Sequence, residues 1–286
     1  MSLRIGQLTD LHIGFDRTDE REGNLIRLEA TLARLAEPGV RPDLVLLTGD
    51  LTEHGDDASF ARLVAALADY PIPVWPIPGN HDTRDGLLRA FPQVTATQGF
   101  VQYAVDLPGL RVLMLDTLET GRHGGGFCEV RARWLSDRLN EAPTTPTLIA
   151  MHHPPFPSGI TWMDTQADEP WVIRFAETIA GHAQIVGITS GHVHRAATTL
   201  WHGVPVQICP STSPAVALDL TPIDPEVPDG RAMITNEPPG LALHCWDGTT
   251  LITHLFTADA AQPLASHNGA MTPLLRSLFA ERPDAC

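Results

Sequence analysis

Two hydrophobic periods alternate along the first 150 residues. Ile5 to Thr9 is a short apolar run that ends at Asp10. Glu22 to Glu37 follows, with Leu25, Leu28, Leu32 and Leu35 on one helical face, and Pro38-Gly39 stops it. Asp43 to Thr48 is continuously apolar, as strands buried on both faces are, and ends at Gly49-Asp50. Ala58 to Ala68 reads as a helix, and Pro73 to Ile77 as a strand running into Gly79-Asn80-His81-Asp82. Strands alternating with helices predict parallel crossovers and an α/β architecture.

Further along, strand patterns dominate. Val101 to Leu107 and Arg111 to Asp116 flank Pro108-Gly109 and predict a hairpin. Helices are expected over Glu129 to Asn140 and Trp171 to Ala180. Strands are expected over Thr147 to Met151, Gln184 to Thr189, Ala197 to Trp201, Val204 to Cys209, Leu241 to Trp246 and Thr250 to Phe256. Pro210 to Gly240 breaks the rhythm with seven prolines and no clean period, and reads as an ordered lid over the site or an oligomer contact.

Composition narrows the function. The 286 residues carry 19 basic side chains, all arginine, against 34 acidic ones, for a net charge of −15. Without lysine there is neither a P-loop amine nor a Schiff-base nucleophile. The acidic balance disfavours a long nucleic acid as partner. Met1 to Asp10 lacks the long apolar core of a signal peptide, no apolar run reaches membrane-spanning length, and Cys128, Cys209, Cys245 and Cys286 form no CxxC pair. These features predict a reduced, cytoplasmic protein with no membrane partner.

The chemistry-bearing residues stand where the strand-like runs end: Asp10-x-His12, Asp50, Asn80-His81-Asp82, His152-His153 and His192-x-His194. In α/β sheets ligands bind beyond the carboxyl ends of strands, so these termini are expected to converge. Imidazoles, carboxylates and an amide oxygen suit Zn, Fe or Mn. Residues at i and i+2 in extended backbone share a side, which would pair Asp10 with His12 and His192 with His194. By the same alternation His153 should turn away from His152. Asp82 reads as support for a neighbouring ligand or as a cap, and His202, His244, His254 and His267 as structural or exposed.

The order D10xH12, G49D50, G79NH81D82, H152, G191HVH194 resembles the calcineurin-like metallophosphoesterase superfamily. Together with MHHPPFPSG from Met151 to Gly159, it is similar to the bacterial branch of class III cyclic-nucleotide phosphodiesterases and glycerophosphodiesterases. The resemblance implies a single metallophosphoesterase domain over 1–286, built as a four-layer αββα sandwich of two mixed sheets. It implies two divalent or trivalent metal ions (Fe, Mn or Zn): Asp10, His12 and His194 would hold one, Asn80, His152 and His192 the other, and Asp50 would bridge them. His81 would face the substrate phosphate as a catalytic residue. The implied reaction is hydrolysis of small phosphodiesters, such as 3',5'-cyclic nucleotides or glycerophosphodiesters, by a metal-bound hydroxide, in a homo-oligomer.

Two departures weigh on specificity. Protein phosphatases of the superfamily carry GDxxDRG and GNHE, whereas this chain has GDLTEHG, with Glu53 and His54 in place of Asp and Arg, and ends its third motif in Asp82. Protein phosphatase activity is therefore not expected. A phosphomonoesterase or nuclease on the same scaffold is the alternative. A non-catalytic binding module would lack ligands or His81, and all eight positions are present.

Overall fold

The computed structural model describes residues 2–259 and 262–282. Cys286 lies outside the described residues. The elements run β1 (Leu3–Leu8), α1 (Gly23–Ala36), β2 (Leu44–Thr48), α2 (Asp57–Leu67), β3 (Val74–Ile77), α3 (Arg84–Ala90), β4 (Tyr103–Leu107) and β5 (Leu110–Met114). There follow α4 (Glu129–Glu141), β6 (Thr147–Ala150), α5 (Pro170–Ile179), β7 (Ile185–Ser190), β8 (Ala197–Trp201) and β9 (Val204–Ile208). The last are β10 (Ala215–Val216), β11 (Ile234–Thr235), β12 (Gly240–Trp246), β13 (Leu251–Thr257) and α6 (Thr272–Ala280).

Two mixed sheets form, ordered β13-β12-β1-β2-β3 and β4-β5-β6-β7-β9-β8. Alternation along the second sheet shows how the layers stack. Val112, Met114, Leu148 and Ala150 join Ile5, Leu46 and Leu28 in one core, between the sheets and beneath α1. Their neighbours Leu113, Leu115, Ile149 and Ile188 turn the other way, onto Trp134, Leu135 and Leu139 of α4 and Phe175 of α5. The order is helix, sheet, sheet, helix: the αββα sandwich expected from the sequence.

The hairpin of β4 and β5 forms as expected, and the helices and strands read from the pattern lie within a few residues of their predicted ends. Two helices escaped the pattern. In α3, Gly86 lowers helix propensity, but a Cβ there would come within 2.6 Å of the Phe60 ring, so the close approach of α2 requires glycine. The helix α6 carries Leu274, Leu275, Leu278 and Phe279 on one face but buries none of its residues. No helix among the described residues is long and apolar enough to cross a membrane.

A buried polar knot joins the sheets. Gln7 Nε2 donates to Thr48 Oγ1 at 2.8 Å, Thr189 Oγ1 donates to Gln7 Oε1 at 2.5 Å, and His244 Nε2 reaches the same oxygen at 3.1 Å. His244 Nδ1 lies 2.8 Å from Thr253 Oγ1, so a neutral ring satisfies both partners. Burial pushes His244 down to about 4. Because that value is depressed in the fold, its contribution is fully present above the unfolded value of 6.5 and is lost as pH falls toward 4. The span corresponds to about 3 kcal/mol. Unfolding in urea at pH 7 and pH 4.5 is expected to show this loss, and His244→Gln to flatten it. An equal pH dependence in the two proteins would remove His244 as the cause.

Candidate metal centre

The polar residues sit beyond the C-terminal ends of β1, β2, β3, β6 and β7, which run parallel within each sheet. Their side chains converge for a reason the sequence did not give. Asp10, His12, Asp50, His192 and His194 all have left-handed backbone, with φ between 47° and 72°. The strands stop at Leu8 and Ser190, so extended i, i+2 geometry does not aim these pairs; tight left-handed turns do. Such conformations cost about 1–3 kcal/mol each in non-glycine residues and gather at functional sites. Gly49 (φ +95°) and Gly79 make the crowding possible: a Cβ would lie 2.3 Å from His152 Nδ1 at the first and 2.2 Å from Asp50 Oδ1 at the second.

Hydrogen-bond polarity then defines the site. His12 Nδ1 lies 2.7 Å from Glu53 Oε2, His194 Nδ1 2.9 Å from Pro214 O, and His152 Nδ1 2.8 Å from Thr48 O. All three partners only accept, so each Nδ1 carries its hydrogen, and in the neutral ring each Nε2 is left with a lone pair. Those lone pairs face other acceptors. His12 Nε2 and His194 Nε2 are 3.1 Å apart, with Asp10 Oδ1 3.4 Å from the latter. His152 Nε2 is 3.3 Å from Asp50 Oδ2 and 3.2 Å from Asn80 Oδ1, and His192 Nδ1 is 3.1 Å from the same amide oxygen. Asp50 Oδ2 also lies 3.7 Å from His12 Nε2, between the two groups. Lone pairs this close without hydrogens repel unless cations sit among them, and the donor set fits two such ions.

Without an ion, the buried carboxylates draw positive charge to this place as protons instead. Burial lowers His152, but the Asp50 and Asp10 carboxylates outweigh it and raise it to about 9. His12 is also raised against its burial, by Glu53 and the two aspartates. Asp50, despite burial, is held well below the usual carboxylate range by His152 and His12. His192 and His194 are lowered by burial.

Supporting residues fall into place around this core. Asp82 accepts from the backbone N–H groups of Leu51, Thr52 and Gly79 at 2.9–3.0 Å, tying the Asp50 loop to the Asn80 loop. Burial and the Asp50 charge push Asp82 up to about 6. His153 does not turn away. Strand β6 has ended before it, and its ring lies 4.7 Å from that of His152 and 4.6 Å from that of His192. Its Nε2 donates to His123 O at 3.1 Å and its Nδ1 pairs with Thr117 Oγ1 at 2.9 Å, which leaves no lone pair for an ion.

Two residues were missed from the sequence. Glu53, noted there only as a departure, orients His12 and places Oε1 3.7 Å from His81 Nδ1. Its backbone carbonyl accepts from that Nδ1 at 2.9 Å. His123, on the loop before α4, sets its ring 4.7 Å from His192 and its Nδ1 3.4 Å from Asn80 Nδ2. Nothing in the local pattern marks His123; its spacing after Asp50 marks Glu53. A cavity of about 420 Å³ opens over His12, His81, His123 and His194, with Phe15, Trp162 and Ile234 on its apolar side. Among the described residues, no arginine lines it.

Comparison with known proteins decides the kinship. The profile of the calcineurin-like phosphoesterase family matches residues 3–196. The chain belongs to that family. Among its relatives, a probable glycerophosphodiester phosphodiesterase of Arcobacter nitrofigilis is 34% identical over 217 residues, covering 75% of this chain and 77% of that protein. A probable cyclic nucleotide phosphodiesterase of Rhodopseudomonas palustris is 33% identical over 238 residues, covering 80% and 82%. Purple acid phosphatase from yellow lupin superposes with a TM-score of 0.65 at 14% identity, covering 92% of this chain and 52% of that one. A dimetal phosphatase from Danio rerio gives 0.57 at 14%, covering 90% and 99%. These superpositions establish the shared fold. The family implies a dinuclear metal site, and the buried His and Asp clusters of this calcineurin-like phosphoesterase fit one.

Proposed function

We propose that this calcineurin-like phosphoesterase is a metal-dependent phosphodiesterase acting on small diesters, 3',5'-cyclic nucleotides or glycerophosphodiesters. The observation that carries this reading is the inward convergence of imidazole nitrogens and carboxylates around Asp50, beneath an open cavity. Asp10, His12 and His194 would hold one ion, Asn80, His152 and His192 the other, with Asp50 shared. Imidazole, carboxylate and amide donors without thiolate suit Fe, Mn or Zn. Bound there, the ions would neutralise the phosphate and lower the pKa of water.

The chain's own groups do the rest. His81 stands at the cavity, its Nδ1 fixed on the Glu53 carbonyl, which leaves Nε2 to meet the leaving oxygen; in its imidazolium form the ring would give that oxygen a proton. Glu53 holds His12 by one oxygen and sets a negative charge beside His81 with the other. The diesterase reading also draws on the names of the two relatives. A cavity without arginine fits a compact diester better than a long nucleic acid.

Turnover of a panel by the metal-reconstituted protein tests the reading. Cyclic nucleotides, glycerophosphodiesters and a chromogenic diester are expected to exceed the matching monoester in kcat/KM. A monoester preference throughout would favour the phosphatase alternative. Free Cys128, Cys209 and Cys245 accord with the cytoplasmic compartment proposed for it.

The Pro-rich segment 210–240 is proposed as a lid or a homo-oligomer contact of the single domain. It is not structureless: β10 and β11 pair antiparallel inside it. Pro214, Val216 and Ile234 reach the cavity wall, while Leu218, Leu220 and Val227 stay 59–66% exposed. Replacing residues 217–237 with a short Gly-Ser linker is expected to change diester preference or solution mass and to leave metal content intact. If both stay unchanged, the segment is a passive loop.

A further inference from the structure

Four imidazoles line the cavity over the metal centre: His12, His81, His123 and His194. His12 and His194 commit both ring nitrogens. Their Nδ1 atoms face Glu53 Oε2 and Pro214 O, and their Nε2 atoms face the cluster, 3.1 Å apart. His81 and His123 each commit Nδ1 alone, to Glu53 O and to the Asn80 amide. No arginine lines the cavity among the described residues, so these two rings hold the imidazole nitrogens left to meet a phosphate oxygen.

Asn80 fixes the polarity of His123. Its amide oxygen is turned to the cluster, 3.2 Å from His152 Nε2 and 3.1 Å from His192 Nδ1. Its NH2 group is left to face His123 Nδ1 at 3.4 Å. That contact is long for a hydrogen bond, but an amide NH2 only donates, and two N–H groups facing each other would repel. His123 Nδ1 therefore accepts, and the ring hydrogen sits on Nε2, across the ring from Asn80.

The ring is also held in place. It packs on His192 with centroids 4.7 Å apart, and the backbone carbonyl of His123 accepts from the buried His153 Nε2 at 3.1 Å. His81 stands in the same relation to the other ligand group, its ring 4.7 Å from that of His12. One free nitrogen thus lies on the His12 side of the cluster and the other on the His192 side. Donors fixed before charge arrives need no reorganisation to stabilise it.

We propose that His123 is a second phosphate-binding residue, whose Nε2 donates to a non-bridging oxygen of the substrate from the His192 side. His81 meets the leaving oxygen from the His12 side. The division has a consequence that turnover alone would not reveal. Inorganic phosphate has no leaving group but keeps the oxygens that His123 would hold, so His123 should govern affinity for the free ion. The proposal rests on the phosphoester chemistry proposed for this site and is indifferent to its preference for diesters over monoesters.

The test is calorimetric titration of the metal-reconstituted full chain with inorganic phosphate, beside elemental analysis of each protein. His123→Phe keeps a ring against His192 and the carbonyl for His153, but has no side-chain N–H. His123→Gln sets an amide NH2 about where Nε2 stands. His123→Phe is expected to weaken phosphate roughly ten- to hundredfold, the scale of a hydrogen bond to a charged oxygen. His123→Gln should recover most of that loss, and both should keep the parent's metal content. Equal phosphate affinity in the parent and His123→Phe would overturn the proposal. Equal weakening in the two variants would also overturn it, by assigning the effect to ring packing, and so would loss of metal from both. A parent that binds no phosphate would instead remove the phosphoester reading, and this proposal with it. A parent that binds phosphate but prefers monoesters would leave His123 in its role.

Discussion

Asp50→Ala is expected to empty the metal centre and to lower turnover by at least ~10³-fold, the scale on which two-metal catalysis depends on its ions. Asp50 Oδ2 is the oxygen that faces both groups, 3.7 Å from His12 Nε2 and 3.3 Å from His152 Nε2. A single carboxylate between two cations offsets their mutual repulsion, which grows steeply at short separation and low dielectric. Without it neither ion has enough negative charge nearby to stay. Elemental analysis of the dialysed variant, beside its turnover, checks both parts. Two full equivalents of metal in Asp50→Ala would show that another group does the bridging. A melting curve close to the parent's is needed for the comparison, because Asp50 Oδ1 also accepts from the His81 backbone N–H at 2.9 Å.

His81→Ala should behave in the opposite way, with metal retained and turnover reduced by roughly 10²- to 10⁴-fold. The side chain bonds the Glu53 carbonyl through Nδ1 and is 32% exposed toward the cavity, so its loss removes no donor from either metal group. If it protonates the leaving oxygen, the loss should shrink for a diester whose leaving group needs no proton. Equal losses on good and poor leaving groups would assign it to electrostatic stabilisation alone. Substantial loss of metal from this variant would contradict the division between ligand and catalyst.

Much of this arrangement was legible along the chain. Alternation of the two hydrophobic periods located most strands and helices, because burial on one face imposes a period wherever an element packs on one side. The helix α3 shows the limit: it is anchored by a glycine at a close approach. The motif residues Asp10, His12, Asp50, Asn80, His152, His192 and His194 were readable as a set because each ends a strand-like run, and strand ends in an α/β sheet share one edge.

The sequence by itself therefore determined the α/β layers, the edge on which the site lies and the chemical types gathered there, since all three follow from local periodicity and from which residues close each strand. It also supplied a wrong reason in one case and a wrong direction in another. Asp10 and His12 are aimed by left-handed turns rather than by extended backbone, and His153 turns toward the cluster. Only the tertiary structure decided which nitrogen of each histidine faces the cluster, because the answer depends on distant acceptors. Thr48 serves His152 and Pro214 serves His194, 104 and 20 residues away. It alone recruited Glu53 and His123, whose roles exist only once Glu53 stands beside His12 and His123 beside Asn80. Local patterns carry burial and backbone preference. The direction of a lone pair depends on neighbours that folding brings together from far along the chain.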